Sequence, residues 1–267
     1  MKNQRLKGQS AIVTGASSGI GMAIAIEFAK EGAKVVVNYS HSEKAAYEIV
    51  ESIEKDGGEA FAIKADVSRE GDVKDMFKKT IATFGTVDIL VNNAGIQKDA
   101  SITEMTLEEW KVVLDINLTG QFLCSREAIK EYKKRGFTQT SCALGKIICM
   151  SSVHEIIPWS GHVNYSSSKG GVSMFMKSMA QEVGRDKIRV NAIAPGAIKT
   201  RINQATWETP EAEQKVLELI PYNRLGTAED IAKVAAWLAS DDSDYIHGTT
   251  IFVDGGMALY PGFEDNG

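Results

Sequence analysis

Apolar, β-branched runs recur at fairly even intervals along the chain, at residues 11–14, 34–38, 60–64, 87–92, 146–150, 189–194 and 250–254. They are too short for buried helices and rich in side chains that suit a pleated surface, so seven buried strands are predicted. Between them, apolar positions repeat at helical spacing over 21–31, 43–55, 72–84, 106–133, 167–184 and 228–239. Strict alternation of this kind needs crossover connections, which make strands parallel and cover the sheet on both sides. The expected fold is α/β: a single-domain, doubly wound (Rossmann) architecture over residues 1–267, with a seven-stranded parallel sheet and helices on both faces.

Two segments interrupt the alternation. Residues 135–145 (RGFTQTSCALG) are polar and read as a surface loop. Residues 197–225 follow the sixth strand and hold a short helical stretch at 211–219. A long segment leaving the carboxyl end of a strand is well placed to cover a ligand, so this one is the expected substrate lid.

Composition narrows the function classes. At 267 residues, 43% hydrophobic and 24% charged, the chain suffices for one large core. The net charge is −5 and the basic residues are dispersed among acids, so no nucleic-acid footprint is expected. Residues 1–8 are charged without a following apolar segment, and no run approaches the roughly 18 apolar residues that span a bilayer. A cytoplasmic protein with no membrane partner is expected. Cys124, Cys142 and Cys149 form no CxxC pair, and His41, His154, His162 and His247 lack zinc-ligand spacing, so no metal site is expected.

Chemistry enters at the first strand, which runs directly into Gly15-Ala16-Ser17-Ser18-Gly19-Ile20-Gly21 and then a helix. Backbone N–H groups and a helix N-terminus converge there, and glycine lets a pyrophosphate approach. An acid ending the second strand would accept bonds from a ribose 2′-hydroxyl and repel a 2′-phosphate. The segment here is Val37-Asn38-Tyr39-Ser40-His41, with neither acid nor arginine. Tolerance of both NAD and NADP is expected, with NADP favoured and Tyr39 and Ser40 at the ribose edge.

Tyr165 and Lys169 stand four residues apart on a predicted helix, hence on one face. Using a tyrosine as base near neutrality requires lowering a pKa of about 10 by about three units, and a neighbouring ammonium has the right sign. Ser151 and Ser152 end the fifth strand, at the rim where a hydroxyl can meet a substrate oxygen.

The glycine turn (Thr14-Gly-Ala-Ser-Ser-Gly-Ile-Gly21), Asn92-Asn-Ala-Gly95, the Tyr165/Lys169 pair and Arg189-Val-Asn-Ala-Ile-Ala-Pro-Gly196 together resemble the short-chain dehydrogenase/reductase family over nearly the whole chain. The resemblance implies a catalytic tetrad of Asn117, Ser152, Tyr165 and Lys169. It also implies that Asn93, Ala94, Gly95, Asp66 and Val67 back the adenosine, and that Pro195, Gly196, Ile198 and Thr200 lie beside the nicotinamide and phosphates. Residues 151–159 (SSVHEIIPW), Pro195-Gly-Ala-Ile198, Ala235-Ala-Trp-Leu-Ala-Ser240 and residues 254–261 (DGGMALYP) are similar to bacterial glucose 1-dehydrogenases within that family.

That similarity makes an aldose oxidised at C1 the expected substrate, with His154 and Asn203 joining Ser152 and Tyr165 around it, and implies a homotetramer. Ser40, Gln97-Lys98 and the longer 135–145 segment depart from those enzymes. A 3-oxoacyl-thioester reductase or other ketone reductase shares every catalytic residue and stays open. So does a non-catalytic, cofactor-sensing binding protein, which would be expected to lack a tetrad member.

Overall fold

The computed structural model describes residues 4–200, 204 and 207–259. All seven expected strands form: β1 (Ser10–Val13), β2 (Lys34–Tyr39), β3 (Glu59–Lys64), β4 (Ile89–Asn92), β5 (Gly145–Met150), β6 (Ile188–Pro195) and β7 (Thr250–Val253). They make one sheet in the order β3-β2-β1-β4-β5-β6-β7, and every neighbouring pair is parallel. Order reverses between β1 and β4, so the connections leaving these two strands diverge and open a crevice at their carboxyl ends.

Alternation along each strand builds two cores. Ala11 and Val13 of β1 and Val35 and Val37 of β2 face one way, against α1 (Gly19–Lys30), α2 (Glu43–Lys55) and α8 (Ala228–Ala239). Ile12 and Val36 face the other, against α3 (Glu70–Phe84), α5 (Gly120–Arg135) and α6 (Val163–Val183). The remaining helices are α4 (Leu107–Leu114) and α7 (Pro210–Leu217). Among the described residues, no helix is long and apolar enough to cross a membrane.

Most boundaries shift by one or two residues, and three differences from the sequence-based expectation lie at the crevice. The helix expected over 106–133 is two helices separated by a π-turn, Asp115–Thr119. Asn117 lies in that turn, fully buried, and its side chain bonds the main chain of Ile96 instead of facing solvent. The helix expected from residue 167 begins at Val163; its N-cap, His162, makes no side-chain cap bond, so the sequence carries no start signal. α1 begins at Gly19 instead of residue 21, which brings its N-terminus closer to the glycine turn.

Candidate active site

The glycine turn is shaped by what lies behind it. Gly15 and Gly19 have φ of +61° and +56°, a region that favours glycine. A Cβ on Gly21 would lie 2.5 Å from both Asn93 Nδ2 and Gly15 O. Asn93 Nδ2 donates to Thr14 O at 2.9 Å and Gly15 O at 3.1 Å, while Thr14 Oγ1 accepts from Asn93 N and Ala94 N at 2.9 and 3.0 Å. Asn38 completes the brace: its Oδ1 accepts from Gly15 N at 3.1 Å and its Nδ2 donates to Ala65 O at 3.1 Å. Asn93 therefore holds the glycine turn itself, where the resemblance implied only a place behind the adenosine. Thr14 and Asn38 carry no sequence signal for this task, which depends on contacts between separate strands.

This cradle fits a pyrophosphate. Ser18 is the N-cap of α1 but its hydroxyl makes no cap bond, and the first turn carries no acid. The first-turn N–H groups and the positive end of the helix are thus left to an anion. Ser17, Gly19 and Ile20 are half-buried around the same turn. A Cβ on Gly19 would lie 3.5 Å from Thr200 Cγ2, so the chain leaving β6 returns over this turn.

On the adenosine side, Ser40 and Asp66 are half-buried and Val67 is buried. Asp66 Oδ1 accepts from Ser68 N and Oγ at 3.0 and 2.7 Å, fixing the turn after β3. Tyr39 departs from its expected place. It is 4% exposed and its hydroxyl donates to Glu43 Oε1 at 3.0 Å. Burial, reinforced by Glu43, pushes that phenol up to about 12. The strand pleat directs Tyr39 into the α2 core, and Ser40 is left at the edge.

The structure brings Asn117, Ser152, Tyr165 and Lys169 to the carboxyl ends of β4 and β5. Tyr165 stands in the first turn of α6 and Lys169 one turn on, with Lys169 Nζ 5.4 Å from the Tyr165 ring centroid. Lys169 Nζ donates to Met150 O at 2.9 Å, the last residue of β5, and Gln121 Nε2 donates to the same carbonyl at 3.2 Å. Asn117 Oδ1 accepts from Ile96 N at 2.8 Å; its Nδ2 donates to Ile96 O at 3.0 Å and to Ser168 Oγ at 3.1 Å. Ser168 Oγ in turn donates to Tyr165 O at 2.7 Å. Asn117 thus ties the NNAG loop to the helix that carries the tyrosine.

Asn164, which no sequence motif marks, is fully buried. It accepts from Tyr165 N at 2.7 Å and donates to Lys98 O and Glu109 O at 2.9 and 3.3 Å. These bonds lock the first turn of α6 to the loop after β4 and to α4.

Electrostatics corrects one expectation. Burial raises the Tyr165 phenol above its ordinary value, and the opposing influences are side-chain hydrogen bonds from Ser152 and Gln97 instead of the lysine charge. Lys169 is lowered to about 8, chiefly by burial, with Cys149 and Glu155 acting the other way. Gln97, which in the sequence stands out only as a departure from the resembled enzymes, is therefore a contact of the reactive hydroxyl.

The wall beside Tyr165 is aromatic. His154 and His162 stack on Trp159 with ring centroids at 4.3 and 3.5 Å and interplanar angles of 16° and 6°. A ring centred 3.5 Å over the indole fills that side, so the two imidazoles cover opposite faces. His154 Nδ1 is 3.0 Å from Ile157 O, a pure acceptor, so this nitrogen carries the proton. Burial lowers the His154 pKa, which leaves Nε2 a neutral acceptor.

Pro195, which ends β6, and Ile198, just beyond it, are buried. Gly196 lies so close to β7 that a Cβ would be 2.8 Å from Asp254 Cα. Asn203 lies outside the described residues. Within 197–225, α7 buries none of its residues and is linked to the exit of β6 by an ion pair, Lys199 Nζ to Glu213 Oε1 at 2.7 Å.

This arrangement has relatives. A family model described as enoyl-(acyl carrier protein) reductase matches residues 15–258. A 3beta-hydroxysteroid dehydrogenase 1 of Eggerthella lenta is 48% identical over 259 residues, 97% of each chain. Glucose 1-dehydrogenase 2 of Bacillus subtilis is 44% identical over 257 residues, 96% of this chain and 97% of the relative. A gluconate 5-dehydrogenase from Burkholderia cenocepacia, solved in complex with NADP and tartrate, superposes with a TM-score of 0.89 at 31% identity, covering 97% of this chain and 98% of that one. The chain belongs to the short-chain dehydrogenase/reductase family and is an NAD(P)-dependent oxidoreductase.

Proposed function

We propose that the protein oxidises a secondary alcohol, an aldose at C1, using NADP in preference to NAD, within a single domain lidded by residues 197–225. The observation that carries this reading is the Tyr165 hydroxyl meeting Ser152 and Gln97, with Lys169 Nζ 5.4 Å from the same ring, at the carboxyl ends of β4 and β5. Tyr165 takes the substrate hydroxyl proton, and Ser152 donates a hydrogen bond to the same oxygen. A bound nicotinamide supplies the hydride acceptor. Hydrogen bonds from Ser152 and Gln97 favour the phenolate that burial alone disfavours, and Lys169, its Nζ 5.4 Å from that ring's centroid, is the tyrosine's partner during turnover.

A polar rim supports a sugar. Gln97 offers an amide and His154 Nε2 a lone pair, matching a polyol that presents both donors and acceptors. The absence of an acid from Val37 to His41 supports NADP, since no carboxylate ends β2 to repel a 2′-phosphate. The 48% identity to a hydroxysteroid dehydrogenase favours a second reading, oxidation of a steroid 3β-hydroxyl at the same tyrosine.

The test is a spectrophotometric panel crossing NAD+ and NADP+ with aldoses, 3β-hydroxysteroids and simple secondary alcohols, alongside NADPH oxidation by an acetoacetyl thioester. Turnover is expected with an aldose and NADP+; turnover confined to the steroids or the thioester overturns the sugar assignment. Tyr165→Phe should lower kcat at least a thousandfold, about 4 kcal/mol, with NADP binding retained. Substantial turnover in that variant refutes the proton-transfer role.

A further inference from the structure

Glu155 lies in the short 3-10 turn Val153–Glu155 that follows Ser152. Its carboxylate joins two elements of the active site. Ser151 Oγ donates to Glu155 Oε2 at 2.5 Å, and Ser173 Oγ donates to Glu155 Oε1 at 3.0 Å. Ser151 is the neighbour of Ser152, and Ser173 lies one helical turn beyond Lys169. A Cβ on Gly170 would be 3.9 Å from Glu155 O, so the turn rests against α6 beside the lysine.

The surroundings of Lys169 make this carboxylate significant. Lys169 is 4% exposed, and among the described residues its hydrogen bond is to a neutral carbonyl. A buried ammonium without a nearby anion tends to lose its proton. The groups that act on it electrostatically are Cys149 from β5 and Glu155 from the turn. Burial pushes the Cys149 thiol up to about 12, so at neutral pH it carries no charge. The π-turn presents the neutral amide of Asn117 to α6 through Ser168. On α4, Glu109 is engaged by Thr106; on β6, Arg189 is held by the Leu238, Ser240 and Ser243 carbonyls at the opposite end of the strand. Tyr165, on the same helix, is the group the lysine serves.

We propose that Glu155 is a positioning residue for the catalytic lysine, bracing the end of β5 against α6 and holding a fixed negative charge that keeps the Lys169 ammonium protonated. Two serine hydroxyls suit this task, because they fix both oxygens without neutralising the carboxylate. The inference rests on the reading that Tyr165 and Lys169 act together, but not on which alcohol is oxidised.

The experiment follows the Lys169 titration by lysine side-chain NMR, without substrate, in wild type, Glu155→Gln and Glu155→Asp. Glutamine keeps the shape and can bond both serines but lacks the charge; its Lys169 midpoint should fall by about half a pH unit or more. Aspartate keeps the charge but cannot span both serines; its midpoint should stay within about 0.3 unit of wild type while Tm falls. An unmoved midpoint in folded Glu155→Gln overturns the proposal. So does a fall of about half a pH unit or more in Glu155→Asp, which assigns Glu155 to bracing alone and can be read even if the glutamine variant does not fold. The alkaline limb of kcat/KM, with any alcohol turned over, should shift down with the midpoint in Glu155→Gln. Because the NMR readout needs no substrate, failure of the sugar assignment leaves it intact.

Discussion

Strand β5 has a buried lysine at each end, and the two are built differently. Lys146, at the amino end, donates to Gln9 Oε1 at 2.6 Å and lies 3.6 Å from Asp241 Oδ1. Lys169, reached from α6, meets the carboxyl end at the Met150 carbonyl. Both are lowered to about 8 chiefly by burial. Equal perturbation therefore does not distinguish structure from chemistry. What differs is the company: an amide oxygen and a carboxylate within 4 Å of Lys146, a neutral carbonyl and a phenol ring beside Lys169, whose carboxylate, Glu155, is held by two serines instead of by the ammonium. A perturbed group with partners already in place stabilises a fold, whereas one facing an open crevice is available for work.

The largest expected effect breaks the pair apart by function. Lys169→Met should lower kcat at least about 100-fold, within the range for losing acid–base support, and leave Tm unchanged or higher because a buried charge is removed. Lys146→Met should leave kcat/KM near wild type. If Lys146→Met abolishes turnover in folded protein, the division between the two ends is wrong.

The next effect concerns the cradle at the carboxyl edge. Gly21→Ala places a methyl 2.5 Å from Asn93 Nδ2 and from Gly15 O, closer than van der Waals contact permits. The turn must shift, so NADP binding measured by fluorescence titration should weaken at least about tenfold, roughly 1.4 kcal/mol. Unchanged affinity would mean that the turn does not hold the phosphates.

The two ends also differ in how far sequence reasoning reaches them. The seven strands are legible because each is a run rich in apolar residues between turn signals; β1, β2, β4, β5 and β6 are buried almost throughout, while the edge strands β3 and β7 are partly exposed. The glycine turn is legible because it lies at the junction of a strand and a helix, Tyr165 and Lys169 because a spacing of four puts them on one helix face, and Ser152 because the family resemblance selects it over Ser151. The π-turn is not, since it depends on Asn117 meeting Ile96 across 21 positions. Nor is the inward turn of Tyr39, or the Glu155 bridge to Ser173. The amino-end cluster is least accessible, because Lys146 and Gln9 are 137 positions apart and each reads alone as an ordinary surface residue.

A smaller effect separates the two ends by stability. Lys146→Met leaves the buried Gln9 amide oxygen without its partner, while Asp241 keeps Ser141 Oγ at 2.6 Å and Cys142 N at 3.1 Å. The cost should be about 1–2 kcal/mol in urea unfolding, near the value of one buried unsatisfied acceptor. An unchanged or increased stability would mean that relief of the buried charge outweighs the lost bond.

The smallest effect is the pH dependence of that stability, and its sign follows from the direction of the shift. Lys146 binds its proton with a pKa of about 8 when folded, against an ordinary value of 10.5. Between those values the unfolded chain holds more protons, so stability rises with pH; the contribution is complete above the upper value and lost as pH falls through the lower. Lys169 carries a shift of the same direction, and the wild-type slope contains both. The cysteines act the other way: burial raises Cys124 and Cys149 to about 12 and Cys142 to about 11, against an ordinary value of 9.0, so in the same window they lower stability as pH rises, and unfolded tyrosines join them near pH 10 (about their ordinary value). Urea titrations between about pH 8 and 9.5 should therefore show a slope that is less positive in Lys146→Met than in wild type and less positive again in the double variant with Lys169→Met, the cysteine contribution being common to all three. If the single variant keeps the full wild-type slope, Lys146 stays charged throughout the window, and Asp241 outweighs burial at the amino end of β5.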